Sequence, residues 1–217
     1  MQQNNLNNSS ANRTRRIVFI GLFGALAALL TYLHIPVFFA PAFYKLEVAE
    51  MPVLISGFAF GPGAAVATAF VKNIVKLLIK PTSTAFVGEF SSLLSTLFFT
   101  VPAAWLYRRE RTKKGAFKAL AIGVLSMSIF SIFSNAFIML PTYAKIYGWP
   151  IERLIGMGTA VNPAITDLTT FVAFAVLPFN LLKGLLEASL TMLLYERLSV
   201  LLKLGGTPAP EPELAEV

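Results

Sequence analysis

The sequence predicts an all-α integral membrane protein built on six transmembrane helices, and three observations carry that reading. Only 13% of its 217 residues are charged, 18 Lys plus Arg against 11 Asp plus Glu, about half the ~25% of soluble domains. Apolar residues make up 56% and mean hydropathy is +0.69, more apolar surface than a soluble fold hides. Uncharged runs long enough to span a bilayer recur, with Lys and Arg gathered at their ends. The net charge of +7 therefore reads as membrane topology rather than affinity for nucleic acid. Low charge, absent repeats and high hydrophobicity exclude disorder, collagen and coiled coil.

The elements follow in order. Residues 1–14 begin rich in Asn and Gln and read as a disordered cytoplasmic tail. Arg13, Arg15 and Arg16 flank the first helix, 17–33. Its long core and the lack of a small-residue cleavage site favour a retained helix over a signal peptide. His34-Ile35-Pro36 ends it. The segment 34–47, HIPVFFAPAFYKLE, holds two prolines and four aromatics. It reads as an apolar, non-helical loop that would sit badly in water and so covers something.

Residues 48–80 read either as one kinked helix or as two short helices meeting at Gly61-Pro62-Gly63. Charge decides between them. Arg108, Arg109, Arg111, Lys113, Lys114 and Lys118 form the strongest basic loop, and the amino-terminal arginines come next. Both belong in the cytoplasm, so an even number of crossings separates them. Helices 17–33 and 90–107 supply two, and a hairpin at 48–80 makes four where a single helix makes three. The hairpin wins. Its first arm is short, ~13 residues or about 20 Å, which leaves a dent at the outer surface.

The fourth helix covers 86–107 and the fifth 116–141. Residues 142–175 read as a long loop carrying NPAITD, and loops this long are usually functional. The sixth helix covers 179–204, with Arg197 and Lys203 at its cytoplasmic end, so both termini are cytoplasmic. The membrane domain thus spans 15–204, and 205–217 form a flexible acidic tail.

Several chemistries are excluded. Without cysteine there is no disulfide, thiolate nucleophile or zinc–thiolate site. His34 and Asp167 are the single His and the single Asp, and no nucleophile elbow surrounds any Ser. No P-loop motif occurs, so a transport function must take its energy from elsewhere.

Polar side chains within the apolar spans are informative, because a charge at mid-helix costs roughly 2.5–3.5 kcal/mol on insertion scales. Lys72, Lys76 and Lys80 form a stripe on the third helix beside Asn73, Glu89 opens the fourth, and Asn135 lies in the outer half of the fifth. Asn180 and Lys183 share one face of the sixth. Each has a plain structural alternative. Lys76 and Lys80 reach headgroups by snorkelling, Lys72 pairs with Glu89, Asn135 joins helices, and Lys183 pairs with Glu187. Taken together, the groups line an outer pocket beneath the 34–47 loop. Asn supplies donors and an acceptor and Lys supplies donors, which suits a planar heterocycle with carbonyls and ring nitrogens. Phe38, Phe39, Phe43 and Tyr44 are placed to cover its faces. On the first helix Gly21, Gly24, Ala25 and Ala28 make two small-x-x-x-small pairs, read either as internal packing or as a docking groove for another membrane subunit.

The chain resembles the riboflavin-binding S component of energy-coupling factor (ECF) vitamin transporters over residues 15–204. The resemblance is carried by YKLEVAEMP at 44–52, FGPGA at 60–64, VKN at 71–73, FVGEF at 86–90, NPAITD at 162–167 and PFNLLKG at 178–184. It implies capture of riboflavin on the outer side, with the first loop as a lid. It implies that Asn135, Asn180 and Lys183 bond the isoalloxazine edge, that Tyr44, Lys45 and Leu46 belong to the lid, and that Glu89 and Asn73 serve the ribityl side. Riboflavin is then bound substrate rather than cofactor, and no metal is implied. Transport in the family needs a transmembrane coupling subunit and two ATPase subunits, with the small-residue face of the first helix on the coupling subunit. Glu47 and Glu50 stand where the family's lid usually has Asp, and Lys76 where His is common, which leaves FMN open as a further ligand. The rival readings are an S component for another vitamin, such as thiamin, and an intramembrane enzyme using Glu89 or Asp167. Missing metal ligands and the lack of a carboxylate pair speak against the enzyme.

Overall fold

The structure, a computed structural model, describes residues 2–41, 44–82, 85–195 and 197, with side chains from residue 13 onward. Phe43, Lys203, the end of the sixth predicted helix and the acidic tail lie outside the described residues.

Helix α1 spans Gln2–Leu30. Helical backbone thus runs through the segment expected to be a disordered tail, and no Gly or Pro interrupts it before Gly21. The Thr31 hydroxyl donates to the Ala27 carbonyl at the far end, and the chain then turns into β1, His34–Pro36. This strand pairs antiparallel with β2, Lys45–Glu47, placing Ile35 opposite Leu46. The expected irregular loop is therefore a short β-hairpin.

The reading of 48–80 as two helices holds. Helix α2 spans Glu50–Phe60 and α3 spans Pro62–Ile79. Gly61 joins them at φ 92°, a conformation glycine adopts without steric cost, and Pro62 opens α3 where its missing N–H matters least. Gly57 lets the arms close, because a Cβ there would stand 3.0 Å from Ala65 and 2.9 Å from Ala104. Helix α4 spans Val87–Arg109.

Two helix boundaries differ from the sequence expectation. Helix α5 spans Lys113–Tyr147 and the last long helix, here α7, spans Leu168–Tyr195, so neither stops at Pro141 or starts beyond Pro178. Each passes its proline after a π-turn, Asn135–Met139 in α5 and Val172–Val176 in α7. In both cases the π-turn is followed by a Leu and then the Pro. The widened turn relieves the clash of the ring with the preceding carbonyls and absorbs the missing donor. Most of the expected 142–175 loop is consequently helical. It contains α6, Ile151–Thr159, and an ordered start to α7, where Asp167 and Thr170 form a reciprocal capping box.

Among the described residues four helices are long and apolar enough to cross a membrane (α3, α4, α5 and α7), with α2 a shorter apolar helix. Large apolar side chains such as Leu26, Ile74, Leu125, Ile129, Phe133 and Leu185 point outward, as expected of surfaces solvated by lipid. One cluster packs Leu54, Phe58, Phe99, Leu120 and Met127 between α2, α4 and α5. A second cluster packs Leu140, Leu154, Ile165, Phe171 and Val176, with Tyr44 and Trp149 against it. The polar site lies beside this second cluster.

Candidate ligand-binding site

Ser131, one turn before Asn135 on α5, ties the two predicted asparagines together. Its hydroxyl donates to Asn180 Oδ1 at 3.0 Å. Its carbonyl accepts from Asn135 Nδ2 at 2.9 Å. Asn180 Nδ2 donates to the Val176 carbonyl at 2.8 Å, at the end of the α7 π-turn. Both amides are therefore fixed in orientation, one from each π-turn helix. Sequence reading missed Ser131, although its spacing of four from Asn135 puts it on the same helix face.

The hairpin reaches the same place. The Tyr44 hydroxyl donates to Asn135 Oδ1 at 2.9 Å. Its ring packs on Phe179 with centroids 4.9 Å apart and on Phe171 at 6.5 Å. Burial, reinforced by the neighbouring Tyr143, raises the Tyr44 pKa above the ordinary tyrosine value, so the hydroxyl remains a donor.

Below it lies a buried ionic chain. Lys183 Nζ donates to Glu47 Oε1 of β2 at 3.1 Å and stands 3.5 Å from Glu50 Oε1. Glu50 Oε2 meets Lys72 Nζ at 2.7 Å, and Lys72 also donates to Thr96 Oγ1 at 2.8 Å. The Glu50 backbone N–H donates to Glu187 Oε1 at 3.3 Å. Lys72, Glu50 and Glu187 are all within 1% of complete burial. Charges so deep persist only when paired and hydrogen-bonded. The chain links α2, α3, α4, α7 and the hairpin.

Four predicted residues, Tyr44, Asn135, Asn180 and Lys183, thus gather around one region. The others are placed differently. Lys45 is exposed, and Leu46 is half-buried across from Ile35. Asn73 is buried and donates to the Ala69 carbonyl, while its Oδ1 lacks a partner among the described residues. Glu89 accepts from the Thr82 hydroxyl at 2.9 Å. Lys72 takes Glu50 as its partner rather than Glu89, because Glu50 opens the neighbouring arm of the helical hairpin. Lys183 likewise pairs with Glu47 and Glu50, with Glu187 nearby rather than its ion-pair partner. Lys76 is half-buried and Lys80 exposed, as snorkelling predicts. Phe38 is 92% exposed, whereas Phe39 packs against the second cluster.

The small-residue face of α1 divides. A Cβ on Gly24 would stand 2.5 Å from Val71 Cγ1, and Ala28 is fully buried. Those two positions serve internal packing, Gly24 directly against α3. Gly21 is exposed with nothing within 4 Å of a Cβ there, and Ala25 is partly exposed.

Comparison with known proteins shows the family. Residues 15–195 match the family model described as ECF transporter, substrate-specific component. The chain is 28% identical to the riboflavin transporter RibU of Staphylococcus aureus, over 88% of this chain and 94% of that protein. It is 25% identical to the riboflavin transporter FmnP of Bacillus subtilis, over 86% and 93% respectively. The solved S component of a bacterial ECF transporter superposes with a TM-score of 0.68 at 29% identity, covering 88% of this chain and 99% of that one. That family comprises substrate-binding transport subunits of the membrane rather than enzymes, and this chain belongs to it: it is a substrate-specific component of an ECF transporter.

Proposed function

We propose that this S component binds riboflavin and delivers it inward when docked on an ATP-driven coupling module. The observation that carries the reading is the meeting of Asn135, Asn180 and Lys183, fixed by Ser131 and Glu47, beneath the β1–β2 hairpin. Two oriented amides and an ammonium offer the donors and the acceptor that a flavin's uracil-like edge requires. Tyr44, Phe179 and Phe171 add flat surface for its rings. The two relatives named riboflavin transporters support the same substrate.

In this reading α1 to α5 and α7 make six crossings with both termini cytoplasmic, and the hairpin acts as the lid, with Lys45 and Leu46 at its edge. Asn73 and Glu89 serve the ribityl chain. The coupling module consists of a transmembrane subunit and two ATPase subunits, and α1 docks on the former through Gly21 and Ala25. FMN is a second ligand to test.

Titrating the purified protein into riboflavin and following flavin fluorescence tests the proposal. Quenching at stoichiometric ratio is expected. The Lys183→Ala variant is expected to bind about 10- to 150-fold more weakly, from loss of a charge-assisted bond worth roughly 1.5–3 kcal/mol. Absence of quenching, with thiamin or another vitamin raising the melting temperature instead, would replace riboflavin as the substrate.

A further inference from the structure

The buried ionic chain contains three carboxylates, Glu47, Glu50 and Glu187, and two ammonium groups, Lys72 and Lys183. Four of these groups neutralise one another in contact. Glu50 takes Lys72, and Glu47 takes Lys183. Glu187 is left over. It is fully buried; among the described residues its Oε1 accepts the Glu50 backbone N–H alone and its Oε2 has no hydrogen-bond partner. An ionised carboxylate in that position would add an unbalanced negative charge inside the membrane and leave one oxygen without a donor.

Among the described residues, the groups facing Glu187 from each side offer it no further cation. On its own helix Lys183 stands one turn before it, already engaged by Glu47. Helix α2 presents Glu50 and β2 presents Glu47. The α3 cation, Lys72, is spent on Glu50 and on Thr96 of α4. Helix α5 presents Val124 and Met127 around Gly184.

We propose that Glu187 is a proton-binding site within the membrane, and that its proton is tied to the position of the β1–β2 hairpin. With Glu47 on Lys183, Glu187 carries the proton on Oε2 and the cluster is neutral. When the hairpin lifts, Glu47 leaves for water as a carboxylate and the cluster holds one positive charge too many. Glu187 then gives up its proton to solvent and takes Lys183, its neighbour four residues back on the same helix face. One proton leaves for each hairpin that opens, and no bond other than O–H is broken.

Infrared spectroscopy in an ester-free detergent at neutral pH tests this directly. The wild-type minus Glu187→Gln difference is expected to contain the carbonyl band of one carboxylic acid, shifted in D2O. Glu47→Gln, which removes a negative charge and keeps the shape, is expected to lose the same band. A difference spectrum without the band overturns the proton site, and a band that persists in Glu47→Gln overturns its link to the hairpin. Should Glu187→Gln fail to fold, Glu187→Asp is expected to move the band, and an unmoved band counts against Glu187. No vitamin takes part in these measurements, so their failure leaves the riboflavin reading untouched.

Discussion

The Tyr44 hydroxyl and Asn135 Oδ1 meet at 2.9 Å, joining the β-hairpin to the π-turn of α5. The amide oxygen has two lone pairs, and a ligand approaching along the one taken here must displace this hydroxyl. Lid and substrate then compete for that position.

Tyr44→Phe removes the competing donor and keeps the ring on Phe179. Riboflavin affinity is expected to rise about 2- to 12-fold, from a bond worth ~0.5–1.5 kcal/mol. Fluorescence titration measures it. A weaker complex would mean that the hydroxyl serves the ligand itself.

Ser131→Ala takes away the donor to Asn180 Oδ1 and leaves the carbonyl that holds Asn135. A buried acceptor left unpaired costs roughly 1–3 kcal/mol. The variant should melt earlier and bind flavin more weakly. An unchanged melting curve and an unchanged dissociation constant together would show that Asn180 needs no such support.

On α1, neighbouring small residues should part company. Gly24→Leu drives side-chain atoms into Val71 and should cost ~1–3 kcal/mol of stability. Gly21→Leu meets open space and should leave melting and flavin binding intact while reducing vitamin uptake by cells. Normal uptake by the Gly21 variant would move the coupling interface away from this face.

Asp167 caps α7 from outside the span. The Thr170 backbone N–H, and then its side chain, hold the Asp167 carboxyl below its usual range. A depressed carboxylate stabilises above its unfolded pKa and loses that contribution as pH falls through the folded value. Amide protection at Leu168 to Phe171, measured against the intrinsic exchange rate at each pH, should therefore be high at neutral pH and fall in acid, with Asp167→Ala low at both. Acid-insensitive protection in the wild type would remove the cap.

The break at Gly61 was legible because topology and charge demanded it, and the polar residues Asn135, Asn180 and Lys183 were legible because lipid makes such residues conspicuous. The helix ends at Pro141 and Pro178 were not. A proline reads as a terminator, and nothing in hydropathy distinguishes a stop from a π-turn that lets the helix continue. The partner of Lys72 was hidden for another reason. Glu50 and Glu89 are equally plausible on paper, and the fold of the α2–α3 arms selects Glu50. Ser131 stayed unnoticed because serines are common in membrane helices and its importance comes from what it touches.

The π-turn of α5 also shifts the phase of the helix. Its inward face runs through Leu120, Val124, Met127, Ser131 and Ser134, and an unbroken 3.6-residue repeat would next turn residue 138 inward. Instead Ile138 is 50% exposed while Met139 and Leu140 are buried. A helical wheel drawn with a single period is therefore rotated by about 100° beyond Asn135, and labels or cross-links intended for the acyl chains in that last third of the helix would end up inside the protein.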